Sequence, residues 1–464
     1  MTTRVQTSRV SESLAIIPGR WSCLTPRAEA VLPVLLLYIS RQLLATLLSQ
    51  GIYISVPFCR TKCSFCNFAS GVFSRAVFDK YVQQVCLDIA ASDAIGRELG
   101  GVLDRSVDSI YLGGGTPSVL APDQLGRIFQ AVRDNFDVTS SAEITVECAP
   151  GTLTNEIVET LLRCGVNRVS LGVQSFVDEE SSSVGRLHTR AVALGDIARL
   201  RAAGIGNISI DLIAGLPHQT EGSWDFSLGE TLATGVPHVS VYMLEVDEDS
   251  RLGNELLAGG SRYHAHFVPD DDLTADLYLA ACERLANGGV QQYEISNFAR
   301  PVTHGVGLRD SRHNLKYWTR QPYLGFGVDA HSMLMAAEDL RSQRIEAVRF
   351  ATPDSLEGFS ASGTEPRARA GQLKASRTLI DAHAALEESF FLGLRLNRGV
   401  SVEEFGRHFG SAAMDNYQPI IDELVEAVLL ERSSNRFHLT PRGRLLSNDV
   451  FERFLRDRIP ADQS

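Results

Sequence analysis

The sequence predicts an α/β protein: a partial parallel (β/α)6 barrel followed by a helical, winged-helix-like domain. Six short runs rich in β-branched residues, at 52–56, 107–112, 144–147, 168–173, 208–213 and 239–244, alternate with longer segments of helical period. Right-handed crossovers between such units make a parallel sheet that curls into a whole or partial barrel, an open doubly wound sheet being the other possibility. The alternation does not continue past about residue 350, and in the tail helical period at 386–394, 402–409 and 417–430 precedes a short strand at 436–440.

Taken in order, residues 1–50 form an N-terminal extension with no assignable role. The apolar stretch at 31–48 is interrupted by Pro33, Arg41 and Gln42, so it falls short of the ~20 apolar residues a transmembrane span needs. No small-residue cleavage pattern follows it, which argues against a signal peptide. Among the helices, 122–136 carries Leu125, Ile128, Phe129, Val132 and Phe136 on one face and opens at Pro122. Gly165 and Gly204 stand where the helices around 154–164 and 192–203 should end. A core of 51–350 is followed by 351–377, where Ser, Thr, Pro, Gly, Ala and Arg dominate and suggest a linker or surface loop, and then by a C-terminal domain at 378–464.

Length and composition bound the function. The 464 residues suffice for two or three domains, and 44% apolar with 22% charged residues is ordinary for a globular protein. The net charge of −12 has the wrong sign for a protein that neutralises phosphates, and the tail mixes acids with bases, so nucleic acid is not an expected partner. The eight cysteines include three within eight residues and five scattered singly, which suits a metal site in a reducing cytoplasm better than a disulfide framework.

The strongest chemical signal is Cys59, Cys63 and Cys66, a C-x3-C-x2-C loop directly after the first strand. Three soft thiolates on one short loop suit an iron–sulfur cluster, leaving one iron of a 4Fe-4S cluster without a protein ligand. A zinc site would want a fourth ligand at ordinary spacing, and the next cysteine, Cys86, is 20 residues on. Gly113, Gly114 and Gly115 follow the second strand, and Glu147, Gln174 and Asp211 lie at or near the ends of the third, fourth and fifth. In a barrel these strand ends converge on one mouth.

The cysteine spacing resembles that of the radical S-adenosylmethionine superfamily. That resemblance implies an open iron coordinated by S-adenosylmethionine, whose reductive cleavage yields a 5'-deoxyadenosyl radical. A narrower resemblance rests on YISVPFC at 53–59, GGGTPS at 113–118, GVQSF at 172–176, GRLH at 185–188, DLIAGLP at 211–217, YEISNFA at 293–299 and LTPRG at 439–443. These motifs, from about residue 51 to the C-terminus, are similar to those of the oxygen-independent coproporphyrinogen III oxidase family. By that resemblance Tyr53, Phe65, Gly114, Gly115, Thr116, Glu147, Gln174, Arg186 and Asp211 would contact S-adenosylmethionine.

The family includes true oxidases and a heme-chaperone branch. Phe68 stands where oxidases carry a further cysteine, and HNLKYW at 313–318 resembles the HNxxYW motif of the chaperones. The resemblance therefore implies a protein that binds a 4Fe-4S cluster, S-adenosylmethionine and heme, passes heme to an acceptor protein and draws on a low-potential electron donor. His313 is the expected heme ligand or heme-pocket residue, with a core histidine as the other reading. The alternative is a coproporphyrinogen III oxidase that makes protoporphyrinogen IX by radical decarboxylation, and a third is another radical transformation such as methyl transfer. Two departures stand out: the loop at 300–312 is long, and His218 replaces an expected glycine. Residues 1–50 have no counterpart in the family, as upstream sequence translated from a wrongly chosen start would not.

Overall fold

The computed structural model describes residues 49–455 apart from 249, 303–306 and 362–364. The expectations for the N-terminal extension therefore lie outside the described residues, except that Ser49 and Gln50 are buried and Gln50 already belongs to the first strand.

All six expected strands form: β1 (Gln50–Val56), β2 (Ser106–Gly114), β3 (Asp137–Cys148), β4 (Arg168–Gln174), β5 (Asn207–Ala214) and β6 (His238–Met243). A seventh parallel strand, β7 (Tyr323–Phe326), pairs with β1 on its other side, with Tyr323 opposite Gly51. At four residues, two of them Tyr323 and Gly325, it is too short to show a period. The parallel order is β7-β1-β2-β3-β4-β5-β6. Antiparallel strands flank it: His331–Ala336, Ile345–Ala351 and Thr378–Asp381 beyond β7, and Asn297–Ala299 with Gln291–Gln292 beyond β6. Among the described residues no pairing joins the two ends of this path, so the barrel is partial.

Strand alternation sorts the side chains into two populations. Ile52, Ile54, Ile110, Leu112, Val169 and Leu171 are at most 1% exposed and pack with the surrounding helices. Alternate positions carry Tyr53, Tyr111, Glu147, Ser170, Asp211 and Ser240, a polar set unlike a hydrophobic core. One strand face thus supplies the stability and the other a polar barrel interior.

The helices follow from local chemistry. Pro122 opens Pro122–Asn135, Gln124 Oε1 accepts from the Ala121 amide at 3.0 Å, and Leu125, Ile128, Phe129 and Val132 are buried on its inner face. Full burial of such side chains is worth roughly 1.5–3 kcal/mol each. Thr154 caps Asn155–Arg163 by accepting from the Ile157 amide at 3.2 Å, and Gly165 and Gly204 adopt φ of +78° and +96° just past their helices.

The segment 351–377 is not the expected linker or loop. Leu356–Ser360 and Pro366–Leu373 are helical, and Phe359, Ala370 and Leu373 join the main core. Arg369 forms a buried ion pair with Asp88 of Phe78–Glu98. Small and polar residues made the stretch look loop-like, but a few apolar anchors and one buried cation dock it. Helices Ala382–Arg395, Val402–Phe409 and Gln418–Glu426 then combine with the antiparallel strands Val400–Ser401, Arg436–Leu439 and Leu430–Ser433. Their core gathers Phe390, Phe405, Tyr417, Phe437 and Phe454, and Ile295 from the barrel side enters the same cluster.

Candidate functional site

The cysteine loop is folded back on itself at the end of β1. The Cys59 amide donates to Gly71 O and the Gly71 amide to Pro57 O, both at 2.9 Å, which closes the loop. The Ser64 amide donates to Val184 O at 3.1 Å, tying the loop to the turn that carries Arg186. Phe65 packs near Val184, Ile213 and Leu216. Each sulfur has a polar neighbour: Thr116 Oγ1 donates toward Cys59 Sγ at 3.8 Å, Arg186 Nη1 toward Cys63 Sγ at 3.5 Å, and Ser70 Oγ lies 3.8 Å from Cys66 Sγ. Burial pushes the Cys59 thiol up from its ordinary value, with the Thr116 hydrogen bond opposing it.

These residues fit an iron–sulfur cluster. The donor set is three thiols on one loop, and the hydrogen-bond donors facing them are of the kind that tune cluster potentials. The backbone leaves room only because residue 115 is glycine: a Cβ there would lie 2.7 Å from Val56 O, 2.8 Å from Phe58 O and 3.0 Å from Cys59 Sγ. Arg186, held by a hydrogen bond from Nη2 to Gly172 O, keeps its buried Nε without a partner beside the loop.

Of the strand-end residues, Glu147 and Asp211 lie near one another in the barrel interior. Glu147 accepts from Tyr111 Oη at 2.8 Å and from the Gly114 amide at 3.1 Å. Burial, reinforced by nearby Asp211 and only partly offset by these hydrogen bonds, pushes its carboxyl up to about 7. Asp211 accepts from Ser170 Oγ at 3.0 and 3.2 Å, and burial raises its pKa as well. Gln174 takes a left-handed φ of +69° where the β4–β5 register shifts. Backbone strain of that kind gathers at functional sites. Tyr53 lies beside Tyr111, ring centroids 6.1 Å apart.

Several interior residues were not legible as part of the site. Tyr111 and Ser170, which hold the two carboxylates, carry only the signal of occupying inward strand positions. Arg168, buried at the start of β4, supplies positive charge beneath them.

His313 does not fit the role of heme ligand. It is 1% exposed, its Nδ1 lies 3.1 Å from Ser109 Oγ and its Nε2 2.8 Å from Tyr317 Oη, so both ring nitrogens are engaged in the barrel floor. Burial, with Lys316 and Arg168 adding repulsion, lowers its pKa to about 3. The second reading, a satisfied core histidine, describes it.

A partial (β/α) barrel with a three-cysteine loop beyond its first strand defines a radical S-adenosylmethionine protein. The model of the Radical SAM superfamily matches residues 53–228, and that of the HemN C-terminal domain matches 380–446. Coproporphyrinogen III oxidase (HemN) from Escherichia coli shares the fold, with a TM-score of 0.70 at 21% identity over 88% of this chain and 90% of that one. The heme chaperone HemW of Lactococcus lactis subsp. lactis is 33% identical over 88% of this chain and 97% of its own length. HemW of Bacillus subtilis is 30% identical over 88% of this chain and 99% of its own length. The bovine (Bos taurus) mitochondrial radical S-adenosyl methionine domain-containing protein 1 is 32% identical over 76% and 74%. The chain belongs to the HemW family.

Proposed function

We propose that the chain is a heme chaperone, which binds a 4Fe-4S cluster, S-adenosylmethionine and heme and delivers heme to an acceptor protein. The observation that carries this reading is kinship with HemW proteins along nearly their whole length. Phe68 supports it: 62% exposed beside the cysteine loop, it stands where the oxidases have a further cysteine.

Cys59, Cys63 and Cys66 would hold the cluster, which when bound supplies a low-potential electron from an external donor and an iron open to S-adenosylmethionine. Thr116, Arg186 and Ser70 place hydrogen-bond donors at the three sulfurs. Glu147 and Asp211 put two carboxylates at the mouth, suited to a ligand with an ammonium and a sulfonium. All seven described cysteines are free thiols, as a reducing cytoplasm would keep them, and among the described residues no helix is long and apolar enough to cross a membrane.

The second reading, a coproporphyrinogen III oxidase, is favoured by the fold shared with HemN. One experiment separates the two: the protein, reconstituted with iron and sulfide without oxygen, is assayed with coproporphyrinogen III beside a heme titration. Heme binding at about one per chain without decarboxylation is expected. Steady formation of protoporphyrinogen IX would replace the chaperone reading with the oxidase.

A further inference from the structure

Between the outer antiparallel strands and the C-terminal domain lie two adjoining cavities of about 350 and 730 Å³, which share Met335, Glu346, His408 and Phe409. Their size is that of small-molecule sites, roughly 300–1,000 Å³. A metalloporphyrin makes three demands on such a groove: a flat apolar surface, a nitrogen or sulfur ligand for iron, and cations for two propionates. The groove answers each.

Met335 and Phe409, both partly exposed, offer a thioether and a ring to the macrocycle, backed by the buried Met333 and Phe405. His408 stands on the wall common to both cavities with its side chain 61% exposed, and its Nε2 lies 3.5 Å from Glu346 Oε2. A carboxylate at one ring nitrogen orients an imidazole and raises the basicity of the other. Arg320, Arg349 and Arg436 are paired with Glu388, Glu346 or Glu404. Arg398 in the smaller cavity and Arg344 in the larger form no ion pair among the described residues, one exposed cation for each propionate.

The smaller cavity also takes in one end of the HNLKYW motif. Trp318, the last residue of HNLKYW, lines the smaller cavity, and its buried indole Nε1 has no hydrogen-bond partner, while the Arg395 guanidinium covers the ring at 4.2 Å. The two ends of the motif thus have different tasks. His313 anchors Tyr317 in the barrel floor, and one residue on Trp318 faces the groove.

We propose that heme binds in this groove, with His408 as the iron ligand, Trp318 against the macrocycle and Arg344 and Arg398 on the propionates. This rests on the heme-binding reading above. The test is a hemin titration of the full-length reconstituted protein, followed by the Soret band, with His408→Ala, Trp318→Phe and the double variant Arg344→Ala/Arg398→Ala. His408→Ala should weaken binding at least tenfold and shift the Soret maximum, and the arginine pair should weaken it several-fold. Trp318→Phe should weaken it too, and the cluster absorption of every variant should be unchanged.

His408 and both arginines are surface residues, so these variants should fold, and circular dichroism verifies it. Wild-type affinity and an unshifted Soret band in both His408→Ala and the arginine double variant would overturn the groove. So would binding that is lost instead on replacing His218 and His264, whose rings meet at 2.9 Å in the loops after β5 and β6. If the wild-type protein takes up no heme, the chaperone reading falls and the groove with it. Wild-type uptake that is indifferent to these substitutions removes the groove alone.

Discussion

At Gly115 the chain approaches itself so closely that a single methyl group has nowhere to go. The obstructing atoms are two backbone carbonyls and the Cys59 sulfur, none of them the movable end of a long side chain. Gly115→Ala should therefore displace the cysteine loop and lower iron uptake on reconstitution severalfold, read as iron per chain and charge-transfer absorption, while far-ultraviolet circular dichroism stays near wild type. Glu147 makes a different prediction. Its carboxyl titrates near 7 in the fold against about 4.3 in an unfolded chain. The folded state then holds a proton that the unfolded state has lost, so this residue's contribution to stability is complete below about 4.3 and disappears as pH rises through 7. In the ligand-free protein Glu147→Gln should raise the denaturation midpoint at pH 8 relative to wild type and change it little at pH 5. The same substitution should weaken S-adenosylmethionine binding and flatten its pH dependence between 6 and 8, measured by calorimetry on the reconstituted protein.

At the scale of elements, Pro366–Leu373 shows how a stretch without apolar period becomes structure. Its hold on Phe78–Glu98 is the ion pair of Arg369, 2% exposed, with Asp88, 8% exposed, and Arg369 also lies over the Phe359 ring at 4.5 Å. Burial raises the Asp88 pKa in spite of the arginine, so desolvation outweighs the attraction and the pair is costly to leave half made. Arg369→Ala should cost about 3–5 kcal/mol in denaturant unfolding, whereas Arg369→Met with Asp88→Asn should recover much of it. The helix Arg312–Trp318 makes the complementary point: seven residues place His313 inside the barrel and Trp318 at the groove. The motif was readable in the sequence, but the direction each side chain takes depends on how the helix lies across β2, which no local pattern records.

For the whole molecule, the barrel and the C-terminal domain are interleaved. Thr378–Asp381 completes the edge of the large sheet beside Ile345–Ala351, Ile295 contributes to the C-terminal core, and Glu294 meets Arg395 at 3.6 Å. A chain ending at 377 would expose that sheet edge together with the apolar surface beneath it. Such a truncation should run as aggregate in size-exclusion chromatography, and a soluble monomer would show that the two parts fold independently.

The sequence by itself determined the six parallel strands, several helix ends, the cysteine loop, the carboxylates at the strand ends and the family. All of these depend on short-range chemistry: side-chain period, capping residues, ligand spacing and motifs contiguous along the chain. Only the tertiary structure decided that 351–377 is docked, that β7 extends the parallel sheet, that Tyr111 and Arg186 hold Glu147 and Cys63, and that His313 is sealed in the floor. Those outcomes depend on contacts between residues 36 to 281 positions apart. Burial, and with it the protonation and availability of a side chain, is set by what the fold brings from that distance.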